Sequence, residues 1–359
     1  MKLSPHDPLP PGFEVDDYTI ESRLGQPGGF GVTYAARRRR DGRKVALKEL
    51  FPSAHVVRQP HGKIVPKDPG ETAIFQEAKR IFRREAEILS RVRHENVVRV
   101  MDYLETLGTG YIVMGYEEGY DLGRHLVLQR PNRPNERELL QLLLPLLDGL
   151  DAVHRLGYLH RDIKPSNIYL TRDHKPVLID FGSSKANLGK KSGNVMVSEG
   201  FSPYELYFTD ASDGLEGPFT DIYSLGVVLF SAMLPGEAFP AAFARAKKDS
   251  VEPLANRLRN QEYSAPFLQA IDWALRPRGA DRPQTIEAWR EALLRGGSYQ
   301  VPVKSPSLQR TISLQLLDLR DRVVPFSSAF RFDSQRQSAI LLFLLVAVVI
   351  ALFAVVALF

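Results

Sequence analysis

Residues 160–167 read HRDIKPSN, and thirteen positions beyond Asn167, directly after the apolar run VLI, residues 180–182 read DFG. The first stretch sets a carboxylate (Asp162), an ammonium (Lys164) and an amide (Asn167) within six residues. Phosphoryl transfer needs those three things: an acceptor for a hydroxyl proton, a cation against developing charge, and a metal ligand. In the second stretch a carboxylate, Asp180, stands at the end of an apolar strand and is followed by Phe181 and a glycine. That placement suits Mg²⁺ chelation at a hinge.

Toward the N-terminus, LGQPGGFGVTY (residues 24–34) lies between two strand-like runs. Its glycines let backbone N–H groups approach phosphates, because no Cβ blocks the turn. VALK then ends on Lys48, an ammonium able to reach phosphate oxygens as a point charge. Glycine-rich turns and surface lysines are common, so neither element carries the reading alone.

Residues 18–48 alternate in short apolar runs broken by glycine and by Asp41 and Gly42, a hairpin signal, with Arg37 to Arg40 as a solvated turn. Residues 52–70, rich in Pro, Gly, His and Lys, read as a loop. Ile74, Ala78, Ile81, Phe82, Ile88 and Leu89 recur at three and four, which predicts a helix over 71–92. A short buried strand is expected at 111–114, a long helix at 136–156, a strand at 177–179, and further helices at 221–233 and 285–294. Strands first and helices afterwards indicate an α+β protein in two lobes. Residues 1–17, rich in proline, are expected to be disordered and hold no signal peptide.

In this order the elements resemble the protein-kinase signature set: glycine-rich loop, VAIK-type lysine, catalytic loop and DFG. The resemblance covers residues 18–294 and implies a bilobal kinase-like fold, with a small β-rich lobe at 18–115 and a helical lobe at 116–294. It implies ATP with Mg²⁺ or Mn²⁺, and serine or threonine hydroxyls of proteins as acceptors. Under it, Asp162 orients the acceptor hydroxyl and takes its proton, Lys164 neutralises the γ-phosphate, and Asn167 and Asp180 hold the metal. Lys48, braced by Glu85 of FRREAEIL, holds the α- and β-phosphates. Gly28, Gly31, Thr33, Ala46, the gatekeeper Met114 and Tyr116 line the nucleotide. SEGFSPYE resembles the end of an activation segment, where Ser198 matches the threonine that touches the catalytic aspartate and Glu205 the glutamate of A-P-E. DIYSLG places Asp221 in the central helix of the large lobe, and DRP makes Arg282 the partner of Glu205. Lys164, two residues after Asp162, is similar to the serine/threonine class. Arg161 is the mark of activation-segment control; its charge needs an anion, which phosphorylated Ser184, Ser192 or Ser198 would supply.

Four departures accompany the match. The glycine-rich loop is one residue too long, with Gly25 one position early and Gln26 and Pro27 behind it. Thr33 replaces the usual valine, and SPYE is one residue longer than A-P-E. Lys48 and Glu85 stand 37 positions apart, about twice the family's usual gap. The GGFG loop, the insert beginning FPS and an apolar C-terminal segment together resemble bacterial serine/threonine kinases. Two other classes share part of the pattern. A pseudokinase, a scaffold of the same fold, usually lacks equivalents of Lys48, Asp162 or Asp180, and all three are present. A small-molecule phosphotransferase of the wider kinase-like group would share the catalytic loop but not the platform at 198–205.

Residues 339–359 read AILLFLLVAVVIALFAVVALF, with no charged, polar, Gly or Pro residue. As a helix this stretch would be about 31 Å long, against a hydrocarbon core of ~30 Å, and is expected to span a membrane. Residues 295–338 hold seven basic and three acidic residues, so the net charge of +5 belongs mainly to this linker. That points to anionic lipid headgroups and away from nucleic acid. Arg331 and Arg336 beside the span favour a cytoplasmic kinase domain on a single-pass cell (inner) membrane protein. Cysteine is absent, which excludes disulfides and thiolate metal sites. Protein substrates, the membrane and a second copy for trans-autophosphorylation are the expected partners.

Overall fold

The computed structural model describes residues 3–129, 132–181, 198, 200–207, 216–258 and 262–295, with 26–28 described by their backbone alone. Ser184, Ser192, the linker beyond Arg295 and the apolar stretch 339–359 lie outside the described residues. Among the described residues no helix is long and apolar enough to cross a membrane.

Alternation builds the small lobe. Strands β1 (Glu14–Val15), β2 (Tyr18–Gly28), β3 (Gly31–Arg38) and β4 (Lys44–Leu50) run antiparallel in sequence order. On β4, Val45, Leu47 and Glu49 are buried while Lys44, Ala46 and Lys48 are half-buried. The two-residue period therefore sends Lys48 and Glu49 to opposite faces. Residues 52–70, expected to be a loop, instead form a hairpin of β5 (Val56–Arg58) and β6 (Ile64–Pro66), with Val56 and Ile64 buried. Three-residue strands are too short to show a period, and Gly, Pro and His disguised them.

In α1 (Thr72–Leu89) Phe75, Ala78, Phe82, Ala86 and Leu89 turn one face inward, and Glu85 lies on that same buried face. A carboxylate within an apolar stripe needs a partner. Strands β7 (Val100–Thr106) and β8 (Thr109–Gly115) complete the sheet in the order β1-β2-β3-β4-β8-β7.

Residues 3–17, expected to be disordered, are packed. Leu3, Leu9 and Val15 are buried, the Leu9 N–H donates to the Tyr34 hydroxyl at 3.0 Å, and Arg58 Nε donates to the Asp7 carbonyl at 2.8 Å. This segment and the β5–β6 hairpin meet on the Glu49 side of the sheet, where they cover apolar surface that proline content alone does not reveal.

The large lobe begins with β9 (Gly119–Asp121) and α2 (Leu122–Gln129). The long α3 (Glu136–His154) starts on a capping box, in which Asn135 and Glu138 satisfy each other's backbone N–H groups. Strands β10 (Ile168–Thr171) and β11 (Pro176–Leu178) join β9 in a small sheet. Helix α4 (Pro218–Met233) is buried on nearly every side, as expected of a central core helix. Short α5 (Ala242–Lys247) and α6 (Leu254–Arg257) lead to α7 (Ala265–Ala274) and α8 (Ile286–Leu294). Trp289 of α8 is fully buried and donates its indole N–H to the Ala270 carbonyl at 2.9 Å.

Candidate active site

Lys48 stands where β4 faces α1. Its Nζ lies 3.4 Å from Glu85 Oε1 and 3.3 Å from Asp180 Oδ1. Burial alone would favour loss of its proton, but the Glu85 and Asp180 carboxylates outweigh it and hold Lys48 above the ordinary lysine value. The pair closes across the 37-residue gap because the β5–β6 hairpin leaves and returns without displacing α1.

The catalytic loop is tied from three sides. Asp162 Oδ2 accepts from Asn167 Nδ2 at 2.9 Å, and its backbone carbonyl accepts from the same amide at 2.8 Å. Asp162 Oδ1 accepts from the Ser198 hydroxyl at 2.6 Å and from Lys164 Nζ at 3.2 Å, while Lys164 also donates to Ser198 Oγ at 2.9 Å. The fully buried Asp221 of α4 accepts from the backbone N–H groups of His160 and Arg161, each at 2.8 Å, and from His154 Nε2 at 2.8 Å. Burial opposes its charge, but the His154 bond and the loop amides prevail and keep its carboxyl below the usual range. Those bonds hold Arg161 at φ +64°, in the left-handed region that non-glycine residues avoid; Asp180 is likewise at +54°. Strain of this kind costs about 1–3 kcal/mol per residue and gathers at functional sites.

His160 supports the loop from beneath. Its ring stacks on Phe181 at 4.2 Å, and Nε2 lies 3.1 Å from the Ile179 carbonyl. Burial keeps its pKa below the ordinary histidine value. The neutral ring then donates from Nε2 and accepts the Asp162 N–H at Nδ1, 3.3 Å away.

Gly28 pairs with Gly31 across the β2–β3 turn, and the register slips between Leu24 and Gly28. Gly25, at φ +65°, lies in that slip, so the extra residue of the loop is taken up as a bulge. At Gly31 a Cβ would meet the Glu49 carbonyl oxygen at 2.5 Å, so only glycine lets β3 approach β4 there. Thr33 sits opposite Lys48, and Ala46 opposite the buried Met114. Lys44 Nζ lies 4.2 Å above the Tyr116 ring. Tyr169 on β10, not singled out from sequence, donates its hydroxyl to the Glu117 carbonyl at 3.3 Å, and burial pushes its pKa up to about 12. Its place two residues after Asn167, on the strand that leaves the catalytic loop, is a signal that could have found it.

Glu205 and Arg282, 77 positions apart, meet in the buried interior at 2.8 Å, with Thr220 Oγ1 donating to Glu205 at 3.0 Å. Arg161 was expected to await a phosphate. Its Nε donates to Glu216 Oε2 at 2.6 Å, a partner that sequence reading missed.

Among the described residues no three His, Cys, Asp or Glu gather into a metal cage. Mg²⁺ needs no such cage, since it retains waters and takes phosphate oxygens beside one or two protein oxygens. Asn167, whose amide NH₂ is spent on Asp162, leaves its carbonyl oxygen for a cation. Asp180 adds a carboxylate, so the donor set fits the ion.

A family model described as the protein kinase domain matches residues 18–293. Serine/threonine-protein kinase pkn3 of Myxococcus xanthus is 29% identical over 289 residues, 77% of this chain and 49% of the relative. Serine/threonine-protein kinase PknK of Mycobacterium tuberculosis is 31% identical over 272 residues, 72% of this chain and 22% of the relative. The chain thus spans about half the length, or less, of these curated relatives. The solved apo form of PpkA-294 is 34% identical with a TM-score of 0.71, covering 80% of this chain and 99% of that one. The PknI kinase domain of M. tuberculosis, at 24% identity and a TM-score of 0.58, shares the fold.

Proposed function

This chain belongs to the protein kinase family, and we propose that it transfers the γ-phosphate of ATP to serine and threonine hydroxyls of proteins. The observation that carries this reading is Lys48, within 3.4 Å of both the Glu85 and the Asp180 carboxylates. That arrangement sets the phosphate-binding lysine and the metal-binding aspartate together, as phosphoryl transfer requires. Asp162 is held by Asn167 so that one carboxylate oxygen is directed at a hydroxyl, a position that Ser198 occupies. An acceptor hydroxyl there gives its proton to Asp162 while Lys164 stabilises charge on the transferring group. Mg²⁺ or Mn²⁺ held by Asn167 and Asp180 supplies neutralisation of the phosphate oxygens. Lys48, Asp162 and Asp180 together argue against a scaffold without catalysis, and Ser198 to Glu205 against a small-molecule phosphotransferase.

The segment 339–359 serves in this proposal as a single-pass anchor that keeps the kinase domain at the cytoplasmic face of the cell membrane. The basic linker lies against anionic headgroups, and a second copy is the partner for trans-autophosphorylation. The uncharged composition of the segment and the arginines beside it support this. The test is transfer of labelled phosphate from Mg-ATP by the full chain to a casein-like protein and to small alcohols, followed by phosphoamino-acid analysis. Label on phosphoserine or phosphothreonine is expected; label on the alcohols alone, or none, overturns the reading. Sedimentation of the full chain with membranes, and its release when 339–359 are deleted, tests the anchor.

A further inference from the structure

Arg161 is gripped at both ends by one short stretch of chain. Asp221, inside the first turn of α4, accepts the Arg161 backbone N–H at 2.8 Å. Glu216, five residues earlier and just before the helix begins, accepts the side chain at 2.6 Å. The side chains of Arg161 and Glu216 are only 21% and 11% exposed, so this is no loose surface pair. Arg161 is also the residue immediately before Asp162, and its backbone is strained. A clamp on its side chain therefore bears directly on where the Asp162 carboxylate points.

We infer that Glu216 is a positioning residue for the transfer reaction: it is the built-in counter-ion of Arg161, and the catalytic loop holds its working geometry without a phosphate on the activation segment. This rests on the kinase reading above. A phosphate would bring about −1.5 to −2 charges, but a carboxylate already meets the guanidinium at hydrogen-bonding distance. The environment of Ser198 points the same way. Its hydroxyl donates to Asp162 at 2.6 Å, so a phosphate there would set a dianion against the catalytic carboxylate and remove that hydrogen bond. Of the three serines proposed as suppliers of the anion, Ser198 is thus unsuited. Replacing Glu216 with glutamine keeps the shape but removes the carboxylate charge that meets this mostly buried guanidinium.

The experiment uses the full chain, untreated or stripped by a phosphoprotein phosphatase that is then removed, with intact mass confirming the loss of phosphate. Initial rates of transfer to a protein acceptor are expected to agree within about twofold between the two forms. Glu216→Gln should lower kcat by about tenfold or more while KM for ATP moves less than about twofold, since nucleotide contacts are untouched. Glu216→Asp should recover most of the loss. The double variant R161Q/E216Q should be no slower than R161Q alone, because losing the guanidinium already removes the contact through which Glu216 is inferred to act. A stripped wild type about tenfold slower than the untreated one, or an E216Q variant at wild-type rate, overturns the inference. If E216Q does not fold, the stripped wild type alone decides. A wild type that transfers nothing in either form removes the kinase reading and this inference with it; an active wild type with an unaffected E216Q removes this inference only.

Discussion

Lys48 and Glu49 are neighbours on one strand and leave it from opposite faces, and their surroundings differ in kind. Lys48 shares two carboxylates, and the side chains of Lys48, Glu85 and Asp180 are 16%, 1% and 35% exposed. Glu49 accepts from Arg58 Nη1 and Nη2, from the Tyr34 hydroxyl and from the Tyr111 hydroxyl, at 2.6–3.0 Å, and both members of its ion pair are 0% exposed. On the sealed face each carboxylate oxygen of Glu49 accepts two hydrogen bonds and none of the ion pair is exposed; burial and the adjacent Glu49 charge push the Tyr111 hydroxyl well above its ordinary pKa. On the cleft face a carboxylate stays half-open on strained backbone, so phosphate and metal can compete for it. A charge cluster that is closed and fully satisfied holds the lobe together, whereas one that is partly open does chemistry.

The largest effect on the cleft side is expected from Asp162→Asn, which should cut phosphate transfer by on the order of 10³-fold while nucleotide affinity stays near wild type. Titration with a fluorescent nucleotide beside rate measurements checks it; near-normal turnover would remove Asp162 from its role. Lys48→Met should lower both nucleotide affinity and rate, the rate by on the order of 10²-fold.

Arg58→Ala should do the reverse. It leaves Glu49 buried without its cation and removes about 3–5 kcal/mol of stability, read by chemical denaturation, yet the folded fraction should keep its KM for ATP. If Arg58→Ala altered KM as Lys48→Met does, the two faces would not be separate.

The smallest effect concerns acid. Burial lowers the folded-state pKa of His160 below the ordinary value of 6.5, so the unfolded chain binds the proton more readily. Its contribution to stability is present above pH 6.5 and is lost as the pH falls below it; the Asp221 contribution fades only below its ordinary 3.8. Denaturation midpoints measured between pH 7 and 5 should fall less steeply in His160→Gln than in wild type.

Much of the cleft was legible from sequence because its parts are local. Asp162, Lys164 and Asn167 lie within six residues, so their meeting follows from one tight loop, and Glu85 was placed by the resemblance of FRREAEIL to the family's helix. The sealed face was not legible. Glu49 looks like any charge on an alternating strand, and Arg58 like a loop cation in a stretch of Gly, Pro and His. Nothing in the proline-rich start indicates that the Asp7 carbonyl and the Leu9 N–H complete the same network. Glu216 was missed for the same reason, since a lone acid 55 positions from Arg161 has no local mark.

By itself, then, the sequence determined the inventory and order of the reacting groups, the two-lobed alternation of strands and helices, and the strand on which Lys48 stands. Tertiary structure alone decided which charges meet: that Lys48 finds Glu85 despite a long insert, that Glu49 is sealed by Arg58, and that Arg161 is answered by Glu216. Spacing and periodicity are properties of neighbouring residues, and a window of sequence contains them. The partner of a charge is set by distance and burial in the folded chain, where two residues far apart along the backbone lie within one hydrogen bond of each other.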